Sequence, residues 1–346
     1  QYMKEPNLVG NFETETGISF DEKSVYSKYK TATIANGRVY IGNVDVKMIG
    51  QERTVRMGDT IIKSPFNKFD IFPLSNRIDV AVNDGDHIVK LESFNDRLLC
   101  FKEETLYIIN ISQDIEFVEG IYKHRGVQHP AQVFKTDFGI AWANRLGVFL
   151  YDGQRVINLT EKQGQKLIDW PGQITSSETP MVGYTPKNRQ IIVCEDNSTA
   201  GSYVWIYDLD TRSWVRGTND TGHRYFDVVK TNFVIDYNDD LVFATVPNTT
   251  SDEDHTFIKW TDTPQIADGF DIKTKEIDFG NPAARKKIYA VHVTYKCGAD
   301  SAADVDLVAQ TSSGYTVYTF VAGTTGGSVS TLYGSQTLDD TSNGGT

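Results

Sequence analysis

Six histidines, His87, His124, His129, His223, His255 and His292, are the first residues to weigh for chemistry. A protein zinc site draws its ligands from short fixed repeats or from a convergent set of His, Cys and carboxylate groups. These histidines fall at no such spacing. Cys100, Cys194 and Cys297 lie far apart in apolar runs, so neither a disulfide framework nor a thiolate metal site is expected. Asn83-Asp84-Gly85-Asp86 has the carboxylate density of a calcium loop. It lacks the alternate-residue ligand spacing and the closing Glu of an EF-hand, and its residue types are those of a hairpin turn. The chain has no Gly-x-Ser-x-Gly elbow, Walker loop, His-Glu-x-x-His or Gly-x-Gly-x-x-Gly. Paired carboxylates can cleave glycosides, but with 46 acidic residues a pair is no signal. The Ser-x-Asp-x-Gly-x-x-Trp turn that marks sialidases is also missing. Trp170 and Trp214, at expected loop tips, are candidates for stacking on sugars, with core packing as the alternative. No catalytic, cofactor-binding or metal-binding residue is assigned, and no cofactor is expected.

The elements that would position these residues are strands. Tyr (17) and Phe (18) are abundant, and Asn-Gly, Asp-Gly and Asn-Asp pairs supply turns throughout. An Asn-led turn followed by a dense apolar strand recurs at Asn36, Asn95, Asn144, Asn188 and Asn238. The separations of 59, 49, 44 and 50 residues bracket the ~40–50 residues of a propeller blade. Several runs are apolar on both faces, such as Leu106-Tyr107-Ile108-Ile109 and Ile191-Ile192-Val193, as in strands buried on both sides. The reading is an all-β chain: a β-propeller of five or six blades over residues 1–270, a small β-sandwich over 271–323 and a flexible or truncated tail over 324–346.

Strands are expected at Ile78–Val82, Ile88–Phe94, Leu98–Phe101 and Leu106–Ile111 for the second blade. For the third they are Gln132–Lys135, Gly139–Ala143, Val148–Tyr151 and Val156–Leu159. The fourth takes Met181–Tyr184, Gln190–Cys194, Tyr203–Asp208 and Ser213–Arg216; the fifth takes Tyr225–Val229, Asn232–Asp236, Leu241–Val246 and Phe257–Trp260. Residues 46–73 read as an extra loop, and residues 8–35 or strands upstream of them as the source of a sixth blade. Thr160-Glu161-Lys162-Gln163 has capping-box form and predicts one short helix running to Ile168. Trp142, Trp205 and Trp260 are core candidates within strands. Alternation of Tyr289, Val291, Val293 and Tyr295 with wetter residues opens the sandwich, followed by strands around Val305–Ala309 and Tyr315–Tyr318.

The net charge of −12 speaks against a sequence-reading nucleic-acid binder, though not against a surface past which DNA slides without sticking. Lys63 to Lys68 and Arg285-Lys286-Lys287 are modest basic clusters, read as solvated turns or subunit contacts. No run approaches the ~18 apolar residues of a membrane span, so no membrane insertion is expected. The start at Gln1 is polar, so no signal peptide is expected, and its lack of Met fits a piece of a longer chain.

The order of segments resembles a family of virion proteins from short-tailed bacteriophages, including crAss-like ones, known as tail nozzle, muzzle or stabilization proteins. The resembling segments include Gly37-Arg38-Val39-Tyr40-Ile41-Gly42-Asn43, Lys63-Ser64-Pro65-Phe66-Asn67-Lys68-Phe69-Asp70-Ile71-Phe72-Pro73 and Asn95-Asp96-Arg97-Leu98-Leu99-Cys100-Phe101-Lys102. Thr136-Asp137-Phe138-Gly139-Ile140-Ala141-Trp142, Lys275-Glu276-Ile277-Asp278-Phe279-Gly280 and Arg285-Lys286-Lys287-Ile288-Tyr289 extend it, so that it spans roughly residues 30–300. The resemblance implies a homo-oligomeric ring in the tail, assembled in the host cytoplasm beside portal, adaptor or other tail proteins. Genomic DNA would pass through without tight binding. It carries over no functional residue. The alternatives are a glycan-binding or glycan-cleaving propeller of a receptor-binding apparatus, and a propeller scaffold of the kelch or WD type. Asp208-Leu209-Asp210-Thr211-Arg212-Ser213-Trp214 looks like a single kelch-type blade turn.

Overall fold

The computed structural model describes residues 3–4, 7–9, 24–48, 50, 52–82, 84–113, 115–162, 165–170, 179–194, 203–218, 223–224, 233–247, 256–260, 280–281, 305–311 and 314–320. The chain divides into two compact units, Gln1–Thr263 and Pro264–Thr346. In both, the regular elements among the described residues are strands, apart from two 3-10 turns at Leu74–Asn76 and Pro130–Gln132.

The first unit is a series of antiparallel sheets laid down in chain order. The first sheet contains Ser24–Ala35, Arg38–Met48, Val55–Lys63 and Arg77–Asp79, with the short Met3–Lys4 on its other edge. The second is a meander of Ile88–Phe94, Arg97–Lys102, Thr105–Asn110 and Phe117–Lys123. The third runs Val133–Thr136, Gly139–Asn144, Gly147–Tyr151 and Val156–Asn158. The fourth runs Met181–Thr185, Gln190–Cys194, Tyr203–Asp208 and Ser213–Thr218. In the fifth, Leu241–Pro247 pairs with His223–Arg224, Val234–Ile235 and Thr256–Lys259.

The doubly apolar runs explain how these sheets pack. In a strand, successive side chains point to opposite faces, so a sheet held between two others needs apolar residues at every position. Leu98 and Cys100 join a core with Tyr40 and Ile61 of the first sheet, while Leu99 and Phe101 join a core with Ile140 and Trp142 of the third. Ala141 and Leu150 then meet Val182, Ile191 and Trp205 of the fourth sheet. Ile192 and Cys194 face Leu241 and Phe233 of the fifth. Four successive apolar layers thus tie five sheets together, each fully buried large side chain contributing about 1.5–3 kcal/mol. The far face of the first sheet is covered differently: Ile41, Val44 and Ile62 pack on Phe72. Phe72 belongs to Ile71–Pro73, which pairs in parallel with Asn7–Val9.

Several expectations are corrected by this arrangement. The second sheet ends with Phe117–Lys123, whereas Arg77–Asp79, which overlaps the strand expected to open that blade, pairs with Val55–Lys63 of the first sheet. Residues 46–73 are not a loop, because Val55–Lys63 is a ladder strand. Ser24–Ala35 belongs to the first sheet and opens no sheet of its own. The helix predicted from Thr160 is a hairpin in which Glu161–Lys162 pairs with Gln165–Lys166. Its capping side chain is taken elsewhere: Thr160 is buried, its Oγ1 donates to Asn158 Oδ1 at 2.7 Å, and its N–H donates to the same oxygen. The expected Tyr225–Val229 strand and the Tyr289–Tyr295 strand lie outside the described residues.

Asn36, Asn95 and Asn188 sit in the first hairpin turn of their sheets and Asn238 in the turn between Val234–Ile235 and Leu241–Pro247, but Asn144 sits in the second turn of the third sheet. The difference is chemical. Asn36 and Asn95 supply left-handed backbone, with φ of 48° and 52°, and Asn tolerates that region better than most residues. Asn144 works through its amide, accepting from Leu146 N–H at 2.8 Å and donating to the carbonyls of His124 and Gly126.

In the second unit, Val305–Thr311 and Gly314–Phe320 form an antiparallel hairpin, with Leu307 opposite Tyr318. No helix among the described residues is long and apolar enough to cross a membrane.

Candidate functional site

A dense set of ionisable groups lies where the first sheet hands over to the second. Lys102 ends the second strand of the second sheet with its side chain fully buried. Its Nζ donates to Asp59 Oδ1 at 3.2 Å, to both Asp84 oxygens at 3.0 Å and to the Ala81 carbonyl at 3.1 Å. Asp59 comes from Val55–Lys63, and Ala81 and Asp84 from the connection between the two sheets. Ala81 reaches this position with φ of 47°, a left-handed conformation that strains a residue with a Cβ. Asp86 binds no cation there; it accepts the N–H groups of Glu103, Glu104 and Thr105 and fixes the adjoining turn. The Asp84-Gly85-Asp86 turn is therefore a clamp closed by the chain's own ammonium.

The electrostatics follow from that geometry. Burial pulls Lys102 toward its neutral form, but its bonds to Asp84 and Asp59 outweigh this and hold its pKa above the ordinary lysine value. Burial likewise pushes Asp84 up, and the Lys102 bond with backbone N–H groups brings its carboxyl below the usual range. Asp86 stays raised, since burial exceeds the effect of the N–H groups it accepts. His87 Nδ1 stands 3.7 Å from Asp59 Oδ1. Gly58 makes room for it, because a Cβ there would lie 2.5 Å from that nitrogen.

An open recess of roughly 160 Å³ lies where the second turns of the second and third sheets meet the connections into the third and fourth. Glu103, Glu104, His124, Gln128, Arg145 and Thr179 are among its lining residues. Its polar walls are largely committed to structure. Gln132 accepts from Gln128 and His129 N–H and donates to the Ala143 carbonyl, and Asn144 holds the incoming connection. His129, Pro130 and Gln132 form a small capping box, with His129 Nδ1 accepting from Ala131 N–H at 3.2 Å. Pro at the first position with Gln two residues later is the sequence signal for this turn.

The aromatic candidates resolve as core. Trp170 is buried and donates from Nε1 to the Asn144 carbonyl at 2.7 Å; half-buried Trp214 donates to the Leu159 carbonyl at 2.8 Å. Their rings sit 6.2 Å apart, with Trp205 at 6.0 Å from Trp170. Buried Trp170 offers no face for a sugar, and Trp214 packs against the same core with its Nε1 tied to the Leu159 carbonyl. Trp142 and Trp205 are buried in the inter-sheet layers, and Trp260 packs at the margin of one.

The remaining candidates are scattered. His124 lines the recess, His129 caps its turn, and His223 lies in a two-residue strand; His255 and His292 are outside the described residues. Cys100 and Cys194 are buried cysteines outside any disulfide, and burial pushes the Cys100 thiol up, away from its reactive form. Cys297 and Arg285-Lys286-Lys287 are outside the described residues. Lys63 is held by Glu116 at 2.5 Å, which leaves Lys68 as the exposed cation of its cluster. Among the described residues, no three or more His, Cys, Asp or Glu side chains are placed to hold a metal ion. Comparison with family models and with curated proteins gave no match. Chemically, the arrangement ties each sheet to the next through charged or polar pins at the rims of apolar layers.

Proposed function

We propose that this chain is a structural component of a bacteriophage tail, of the nozzle or muzzle type, and that it is not an enzyme. In this reading the five-sheet series is a propeller-type domain, the second unit is a small sandwich, and copies assemble as a ring with portal, adaptor or other tail proteins. DNA passes along an acidic or neutral surface without being held. The observation that carries a structural role is the use made of the reactive side chains. Lys102, Asp59, Asp84, Gln132, Asn144, Trp170 and Trp214 are spent on contacts between sheets or their connections. The place in a tail is supported by the resemblance of residues 30–300 to nozzle and muzzle proteins. Burial of Trp170, with half-buried Trp214 packed against it and tied to the Leu159 carbonyl, speaks against the glycan reading, since a sugar platform needs an exposed ring face.

The test is protein identification by mass spectrometry of purified virions after tails are separated from capsids. The chain is expected in the tail fraction at several copies per particle. Its absence from virions, or recovery with capsids alone, would count against the reading.

A further inference from the structure

Residues 64–70 link Val55–Lys63 to Ile71–Pro73 and lie outside both strands. The loop is held firmly against the first hairpin of the first sheet. Val39 N–H donates to Ser64 Oγ at 2.9 Å, and Ser64 N–H donates to the Val39 carbonyl at 2.8 Å. Arg38 donates to the Ser64 carbonyl, and Asn67 N–H to the Gly37 carbonyl at 2.9 Å. Asn67 turns the chain with φ of 54°, and Phe66 lies so close to Gly37 that a Cβ there would meet its ring at 2.6 Å. Yet every residue from 66 to 70 is exposed, with Phe66 at 62% and Phe69 at 52%. Ile34, directly opposite Val39 on the neighbouring strand, is 66% exposed. Apolar side chains held rigidly in water mark a docking surface, because their ordering cost is met before a partner arrives.

Charge chooses the occupant. Lys63 is taken by Glu116, whereas the side chains of Lys68 and Asp70 have no ion pair or hydrogen bond among the described residues. An excess of one sign would call for a partner of the other. One free charge of each sign, flanking Phe69, complements a second copy turned about. The loop lies outside the ladders, so no sheet divides these two side chains between opposite faces. A two-fold axis near Phe69 sets Lys68 of each copy beside Asp70 of the other, with Phe69 against Phe69. Such a contact is neutral, which matters between chains that each carry a net charge of −12.

We propose that two copies of this chain pair two-fold through the loop at residues 66–70. The contact is independent of the tail reading, because a self-complementary patch pairs wherever the protein is concentrated. A loop of this size falls short of the ~20–30 residues a side of a stable interface, so the dimer is weak and forms at high concentration.

Sedimentation equilibrium and light scattering from micromolar to millimolar protein test it. The wild-type chain is expected to pass from monomer to dimer and no further. Phe69→Ser, Lys68→Asp and Asp70→Lys should each raise the dimer dissociation constant about tenfold or more, with thermal midpoints unchanged, since all three positions are exposed. Lys68→Asp combined with Asp70→Lys should return the affinity to that of the wild type. An equal mixture of the two single charge variants should form a dimer tighter than either variant forms alone. A chain that stays monomeric to millimolar concentration, assemblies larger than a dimer, a Phe69→Ser dimer as tight as wild type, or charge reversals that neither the double variant nor the mixture rescues would each overturn the proposal.

Discussion

Lys102 carries its charge into a site with no exposed surface, where four oxygen contacts from three other residues replace water. Removing the ammonium takes from Asp59 and Asp84 the buried cation that both accept from. Lys102→Met is therefore expected to lower stability by about 3–5 kcal/mol in urea unfolding, and adding Asp84→Asn should recover part of that loss. A neutral effect of Lys102→Met would show that the clamp does not matter. The same residues set an alkaline limit. Lys102 is raised above its ordinary pKa, so its contribution is complete below about pH 10.4 and fades as pH rises through the folded value. Tyr40 is pushed up to about 12 by burial and then by the Glu116 charge, so its neutral form likewise favours the fold up to the same region. Stability should fall steadily between about pH 10 and 12, and Tyr40→Phe should flatten the slope by roughly 2–3 kcal/mol over that window. An unchanged slope would refute the assignment. Little of this was legible in the chain. Lys102 closes the apolar run Leu98-Leu99-Cys100-Phe101, which hints at burial, but Asp59 lies in a segment read as loop, where only Ile61-Ile62 signals a strand.

At the scale of elements, turn chemistry and doubly apolar strands were readable, and the third and fourth sheets follow the expected runs with ends shifted by one or two residues. The second sheet lies one strand later than its apolar runs suggest, because Ile78–Val82 looks as apolar as a first strand, while Phe117–Lys123 is interrupted by Glu119, Gly120 and Lys123. A hairpin at 161–166 replaced the expected helix for a reason that sequence spacing does not show: Asn158 captures both the hydroxyl and the N–H of Thr160. Gly139 tests the account of close strand packing. Its φ is +146° and a Cβ would lie 1.9 Å from the Tyr151 carbonyl oxygen, a backbone atom with no room to yield. Gly139→Ala should lower stability by about 3 kcal/mol or more in thermal or urea unfolding. Gly85, also at positive φ but with nothing within 4 Å of its would-be Cβ, should tolerate Ala far better. Equal losses at the two sites would contradict the packing argument.

For the whole molecule, composition gave the all-β class and the acidic balance, and the sheets bear out the class. Ring closure of the sheets, copy number and partners are tertiary and quaternary matters that local residue patterns do not encode. Charge makes one prediction at this scale. With a net charge of −12, the purified protein should not retard duplex DNA in gel shifts at physiological salt. Nanomolar binding would rule out a surface built for rapid passage. The central claim is a structural part around a DNA path, and electron cryomicroscopy of intact tails tests it most directly. The account predicts a ring of copies on the tail axis, each with the five-sheet unit fitting the density and an acidic or neutral face toward the DNA. Density for this chain on the capsid surface, or at the tail periphery away from the axis, would contradict it.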